Sequence, residues 1–329
     1  MQSPRDIEGT FLMYPSCGAA ARRTWHMPEP GGEAMDLDFG AVSKVTIPLL
    51  LECKIQGRKL ACLTAYDYPS ARIADEAGID VILVGDSLAQ TVLGYESTLP
   101  VTVDEMLHHL RAARRAVRRA LLVADLPYGS YHTSEDAALA AAIRYVKEGG
   151  AEAVKLEGGA KRAALVRRLV DAEIPVMGHI GLTPQSVHAM GGYRVQGRTP
   201  EAAEALLADA QALEDAGAFA VVLECVPREL AEVITSRLRI PTIGIGAGPA
   251  CDGQILVLAD LLGFSFSAPA KFVRAYASLR DVAENSCSRY AEDVRQGRYP
   301  SEAESYHSNL SQIDAENAAP RAKIGTAAG

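Results

Sequence analysis

The chain has 329 residues, of which 48% are hydrophobic, and carries a formal net charge of -8. That length suffices to bury one large core, and a barrel of alternating strands and helices commonly takes about 250 residues. The acidic balance argues against a nucleic-acid or anionic-membrane surface as the main partner, and no run approaches the roughly 20 apolar residues of a membrane span, so small-molecule chemistry in the cytoplasm is the expectation.

Residues 1–42 have no sustained period and include the loop-like stretch MPEPGGEAMD. They read as an N-terminal extension, expected to be disordered, with Met35 as the natural start. From residue 44 short apolar runs alternate with longer amphipathic ones. The runs are LACLTA (60–65), VILVG (81–85), LLVAD (121–125), AVKLE (153–157), PVMGHI (175–180), AVVLE (220–224), PTIGIG (241–246) and, as an eighth, GFSFS (263–267). Ala-, Leu-, Arg- and Glu-rich helical stretches fall at 68–77, 103–117, 135–148, 160–172, 200–216, 228–238 and 253–262. Gly78, Gly149 with Gly150, and Gly217 each close a helical run ahead of a strand, where a C-terminal cap favours positive φ. Repeated βα units on buried parallel strands predict a closed (β/α)8 barrel over 43–300, with an open doubly wound sheet as the alternative. Residues 301–329 form a polar C-terminal tail, and the chain beyond about 293 is expected to wrap or fray.

Four acids stand at or just after the apolar runs: Asp86 in VGDS, Asp125 in ADLP, Glu157 in VKLE and Glu224 in VVLE. Active sites of such barrels gather at the C-terminal ends of the strands, so the four are predicted to converge. Two strand-end aspartates suit a hard cation such as Mg2+, which takes one or two carboxylates and keeps water or substrate oxygens. The plain alternative for each is a helix N-cap. Lys155 and Glu157 flank Leu156, so both side chains point to one face, into the barrel if Leu156 meets the helices. They are then either an ion pair filling the interior or a site in which Lys155 neutralises a substrate carboxylate. His179 is a core histidine or a site residue, and the glycine-rich GLTPQSVHAMGGYRVQGR after it reads as a functional loop. Glu224, against an apolar strand end, suits a general base or a cap on the helix that follows.

Weaker signals are set aside. IGIGAG (243–248) lacks the G-x-G-x-x-G spacing of a dinucleotide loop and reads as an anion loop at the barrel mouth. Arg111, Arg114, Arg115, Arg118 and Arg119 read as a solvated helix face. The six cysteines contain no C-x-x-C pair and read as reduced thiols, Cys225 beside Glu224 included.

Taken together, LTAYDYPSA, VGDSLAQTVLGYESTLPVT, ADLPYGSY, VKLEGG, GHIGLTPQSV, GGYRVQGR, LECVP and IGIGAGPACDGQILV resemble the ketopantoate hydroxymethyltransferase family. The resemblance runs from about residue 44 to 300. It implies a (β/α)8 barrel that transfers the one-carbon unit of 5,10-methylenetetrahydrofolate to 3-methyl-2-oxobutanoate, with Mg2+ as cofactor and a homodecamer as assembly. It further implies Asp86 and Asp125 as metal ligands that also face the substrate, Glu157 as a third acid at the metal, Ser87, Lys155 and His179 as keto-acid-binding residues, and Glu224 as the base. One departure is SAPAKF (267–272), where the family more often has a glycine- and histidine-containing segment before P-K-F. The enzymatic rival is the phosphoenolpyruvate mutase and isocitrate lyase group, whose lyases generally carry a K-K-C-G type motif that this chain lacks. The non-enzymatic rival is a metal-binding scaffold without turnover.

Overall fold

A computed structural model describes residues 43–307. The expectations for residues 1–42 and for the tail beyond 307 lie outside the described residues. Eight parallel strands close a barrel in chain order: β1 (Leu60–Thr64), β2 (Val81–Val84), β3 (Leu121–Asp125), β4 (Ala153–Glu157), β5 (Val176–Gly181), β6 (Ala220–Glu224), β7 (Thr242–Ile245) and β8 (Gly253–Leu256). Closure comes from β1 pairing with β8, Leu60 opposite Gly253. The (β/α)8 expectation therefore holds and the open sheet does not.

Alternation along the strands sorts side chains into two sets, as period-two geometry requires. Val81, Leu83, Leu121, Val123, Ala153, Met177, Ala220, Val222 and Ile243 form the barrel interior. Ile82, Leu122, Val154, Leu156, Val221 and Leu223 pack outward with helix residues such as Leu107, Leu110, Leu169 and Leu213. Continuing the inward parity leads to Asp125, Lys155, Glu157, His179 and Glu224. The alternation that fills the core with aliphatics thus carries these polar groups to the mouth.

The eighth strand is a correction. It is Gly253–Leu256, inside the stretch expected to be helical, whereas 263–267 is not a strand and Phe266 is 79% exposed. GFSFS imitates strand alternation, but the chain has by then closed the barrel and left only a short helix, Leu258–Leu261. At the opposite end of the barrel, helix Ile47–Ile55 buries Leu50 and Cys53 against Leu60 and Cys62. Its placement there follows from the Lys54–Asp252 ion pair and the hydrogen bond from Val45 N–H to the Arg119 carbonyl, next to residues entering β8 and β3.

Two further acids are buried, and they show what a purely structural carboxylate does here. Asp75 accepts the backbone N–H groups of Arg118, Arg119 and Ala120 at 3.0, 3.0 and 2.7 Å. Glu214 accepts those of Arg239 and Ile240 at 2.6 and 3.1 Å. Each ties the chain ahead of a strand to a preceding helix, and hydrogen bonds to a charged acceptor contribute about 1.5–3 kcal/mol apiece.

The arginine cluster is not one helix face. Helix Val103–Ala116 carries Arg111, Arg114 and Arg115, but it ends before Arg118 and Arg119, and Arg119 pairs with Asp80 at 2.9 Å. The described residues fall into two compact units, one up to Ala277 and one from Ser278. The barrel unit thus ends ahead of residue 300. The second unit contains helix Leu279–Arg295, which has no buried residue, and a short turn at Glu302–Glu304. No described helix is long and apolar enough to cross a membrane.

Candidate active site

The polar groups at the C-terminal ends of β2 to β6 occupy one side of the barrel mouth. Register places Asp125 beside Lys155 and Glu157 beside His179, while Gly181 lies beside Glu224. Asp86, Asp125, Lys155, Glu157 and His179 are all buried, and Glu224 alone of the four acids is partly open, its side chain 16% exposed.

Contacts join these residues into a chain. Lys155 Nζ donates to Asp125 Oδ1 at 2.6 Å, and the Asp86 N–H donates to Asp125 Oδ2 at 3.2 Å. His179 stands between two carboxylates, Nδ1 lying 3.4 Å from Glu157 Oε1 and Nε2 3.2 Å from Glu224 Oε2. Neither contact is aligned as a hydrogen bond, and Glu157 Oε1 is buried without a hydrogen-bond partner. Ser87 lies at the edge of the group, its Oγ 2.8 Å from the Tyr66 hydroxyl, which also accepts from Thr64 Oγ1 at 2.7 Å. All seven residues predicted for the site are therefore brought to one end of the barrel.

Three further residues belong to the network. Gln185 and Tyr131 connect Asp86 to Glu157, and Tyr66 holds Ser87. Each lies inside a family motif, and only its position in the loops after β1, β3 and β5 hinted at a role.

Asp75 takes backbone N–H groups on both oxygens, and Glu214 takes them on Oε1 with the Gln211 amide on Oε2; the acids at the mouth have one another as neighbours instead. Burial, then the charges of Asp125 and Glu157, push the Asp86 carboxyl well above its usual range. Burial also raises Asp125, although Lys155 works against it. Burial alone would raise Glu157, yet contact with His179, the Lys155 charge and the Gln185 N–H bring it below its ordinary value. Burial opposes the charge on Lys155, but Asp125, Glu157 and Asp86 outweigh it and push the ammonium up.

His179 gives a pH prediction. Burial and the Lys155 charge lower its pKa, but Glu157 and Glu224 reverse this and hold it at about 9 rather than 6.5. Its folded pKa lies above its unfolded one, so the stability from imidazolium is fully present below pH 6.5 and is lost as pH rises through about 9. Nitrogen-15 NMR of the histidine ring is expected to show both nitrogens protonated at neutral pH. A neutral tautomer there refutes the assignment.

Among the described residues no group of three or more His, Cys, Asp or Glu side chains is placed to hold a metal ion by itself. What the site offers a cation is Asp86 and Asp125, with the unpartnered Glu157 Oε1 close by. The carboxyls of Asp86 and Asp125 are buried beside Glu157, an arrangement that a bound cation would favour in its ionised form. An all-oxygen donor set of this size fits a hard cation that keeps substrate or water ligands.

Cys225 follows Glu224 with φ of 48°, and burial pushes its thiol up to about 11, as befits a packed thiol and not a nucleophile. The described cysteines are free. The glycine loop after β7 is packed, with Gly246 against Phe272 and Gly248 against Arg228.

Comparison with known proteins supplies the reaction class that this geometry leaves open. Residues 44–302 match the family described as ketopantoate hydroxymethyltransferase. The chain belongs to the ketopantoate hydroxymethyltransferase family. A 3-methyl-2-oxobutanoate hydroxymethyltransferase of Koribacter versatilis is 61% identical over 265 residues, 80% of this chain and 90% of that protein. The protein of that name from Carboxydothermus hydrogenoformans is 55% identical over 265 residues, 80% of this chain and 96% of its own. Membership makes the chain an enzyme of the one-carbon transferase class. Among solved structures, a phosphonopyruvate hydrolase in complex with oxalate and Mg++ aligns with a TM-score of 0.51 at 16% identity, over 76% of this chain and 87% of that one. A 2,3-dimethylmalate lyase of the PEP mutase/isocitrate lyase superfamily aligns with a TM-score of 0.51 at 18% identity, over 76% of this chain and 85% of that one. At these identities the likeness establishes the barrel fold alone.

Proposed function

We propose that this ketopantoate hydroxymethyltransferase family member transfers the one-carbon unit of 5,10-methylenetetrahydrofolate to 3-methyl-2-oxobutanoate, giving 2-dehydropantoate for pantothenate synthesis. The observation that carries the reading is the placement of Glu224, the one partly open acid, on His179 across from the buried Asp86, Asp125 and Lys155.

Asp86 and Asp125 would hold a divalent cation, Mg2+ in the proposal, with Glu157 supporting it. When bound, that ion supplies Lewis acidity at the keto acid's oxygens and lowers the cost of removing the proton at C3. Lys155 offsets the substrate's carboxylate charge, and Ser87 and His179 orient it. Glu224 takes the C3 proton as general base, with His179 fixing the orientation of its carboxylate. Water opens the methylene bridge, each folate nitrogen taking up a proton and the methylene carbon keeping the water oxygen, and the carbon nucleophile adds to that carbon, whose oxygen is protonated to the hydroxyl of the product. The proposal includes a cytoplasmic location and a homo-oligomer, a decamer by the resemblance, which cell fractionation and sedimentation velocity test.

The test of function is direct. Protein incubated with methylenetetrahydrofolate, Mg2+ and 3-methyl-2-oxobutanoate is expected to yield 2-dehydropantoate, and yield should vanish when chelator replaces Mg2+. Folded protein that gives no product returns the site to the lyase or mutase chemistry of its structural neighbours, or to a scaffold without turnover.

A further inference from the structure

Gln185 is a buried amide, 4% exposed, in the loop after β5, and both atoms of its amide and its backbone N–H are engaged. Its Nε2 donates to Asp86 Oδ2 at 2.9 Å and to the Leu126 carbonyl at 3.0 Å. Its Oε1 accepts from the Tyr131 hydroxyl. Its own N–H donates to Glu157 Oε2 at 3.0 Å. The Tyr131 hydroxyl in turn accepts the N–H of Glu157 at 3.2 Å.

The orientation of this amide is forced by its partners. A carboxylate and a carbonyl can only accept, so the NH2 must face Asp86 and Leu126. The Tyr131 oxygen already takes the Glu157 N–H, and its single proton is free to go to Gln185 Oε1. A flipped amide would set oxygen against two oxygens. One residue therefore occupies Asp86 Oδ2 and Glu157 Oε2, on acids separated by 71 positions in sequence, while Glu157 Oε1 faces His179 Nδ1 at 3.4 Å. A donor from a neutral amide holds the Asp86 oxygen without adding a counter-ion that would compete with a cation.

We propose that Gln185 is the positioning residue of the acid cluster: by holding one oxygen of each, it fixes Asp86 and Glu157 in one arrangement that presents Asp86 to a divalent cation with Glu157 beside it. The inference rests on the metal reading of the preceding subsection and adds a residue to which that reading gives no part. Groups that hold metal-binding carboxylates in place typically contribute 10- to 100-fold in metal affinity.

The experiment titrates Mn2+ into wild type, Gln185→Met and Tyr131→Phe, reading free Mn2+ by electron paramagnetic resonance with no substrate present. Gln185→Met keeps the side-chain length and the backbone N–H to Glu157 but removes the amide, and its Mn2+ affinity is expected to fall by about 10- to 100-fold. Tyr131→Phe removes the hydroxyl that donates to the amide oxygen and accepts the Glu157 N–H, and is expected to show a smaller loss of the same sign, which keeps the test alive if Gln185→Met does not fold. Excess metal should restore kcat in Gln185→Met to within a few-fold of wild type, a rescue that a general structural defect would not show. Wild type that binds Mn2+ while both variants bind it equally well overturns the role given to Gln185 and leaves the metal reading standing. Wild type that binds no Mn2+ overturns both.

Discussion

Glu224→Gln is expected to stop exchange of the C3 proton of 3-methyl-2-oxobutanoate with solvent while the protein still binds that acid and a divalent ion. The substitution conserves shape. Glutamine can turn its carbonyl oxygen to His179 Nε2, which lies 3.2 Å from Glu224 Oε2, so the imidazolium keeps an acceptor and the strand end stays packed. What disappears is a group able to take a proton. A positioned general base contributes about 100- to 10,000-fold, and the loss should fall on kcat with little change in KM, because the groups assigned to binding, Ser87, Lys155 and His179, are untouched. Deuterium uptake followed by proton NMR isolates this step from the folate half of the reaction. Uptake at the wild-type rate in Glu224→Gln would falsify the assignment and move the search for the base to another group near the mouth.

How much of this site was legible beforehand depends on what kind of signal each residue left. β2, β3 and β6 are unbroken apolar runs because both faces are buried, and the acids that end or follow them stand out. Lys155 and Glu157 on either side of Leu156 already fixed their common face. β8 failed because GQIL is short, contains a glycine and exposes Gln254, while GFSFS copies the alternation of a strand with side chains that end up at the surface. Helix Ile47–Ile55 went unseen because its apolar residues are nearly continuous and show no clear period. Gln185 lies in a polar loop 99 residues from Asp86, and nothing local to TPQS announces that contact. Asp75 shows the converse, a buried acid whose whole job is to hold backbone N–H groups. Spacing alone does not separate that role from the one proposed for Asp86; the partners do, backbone N–H groups for Asp75 and a side-chain amide beside other acids for Asp86. Assigning a reaction to the acids needed the family resemblance, since convergence of carboxylates is compatible with lyase, mutase or transferase chemistry.

Asp125→Asn is expected to do more damage than its conservative appearance suggests, because both partners of this side chain are donors. Lys155 Nζ gives a proton to Oδ1 and the Asp86 N–H gives one to Oδ2. Asparagine has one acceptor oxygen, so whichever way it turns, its NH2 meets another donor. If the oxygen stays with Lys155, the Asp86 backbone is pushed away and the second proposed metal carboxylate moves with it. If it goes to Asp86, the buried ammonium faces an amide donor. Removing one partner of a buried ion pair costs about 3–5 kcal/mol, and the low end is expected here because Glu157 and Asp86 still attract Lys155. Mn2+ affinity should fall by more than the roughly 100-fold that marks the upper range for groups that only position ligands. The double variant Asp125→Asn/Lys155→Met separates the two losses. Taking away the ammonium removes the unpaired charge and should restore most of the thermal stability, yet it returns no carboxylate, so metal affinity should remain low. Recovery of metal binding together with stability in the double variant would show that Asp125 serves only to pair Lys155, and an unchanged metal titration in Asp125→Asn itself would remove it from the ion's ligands.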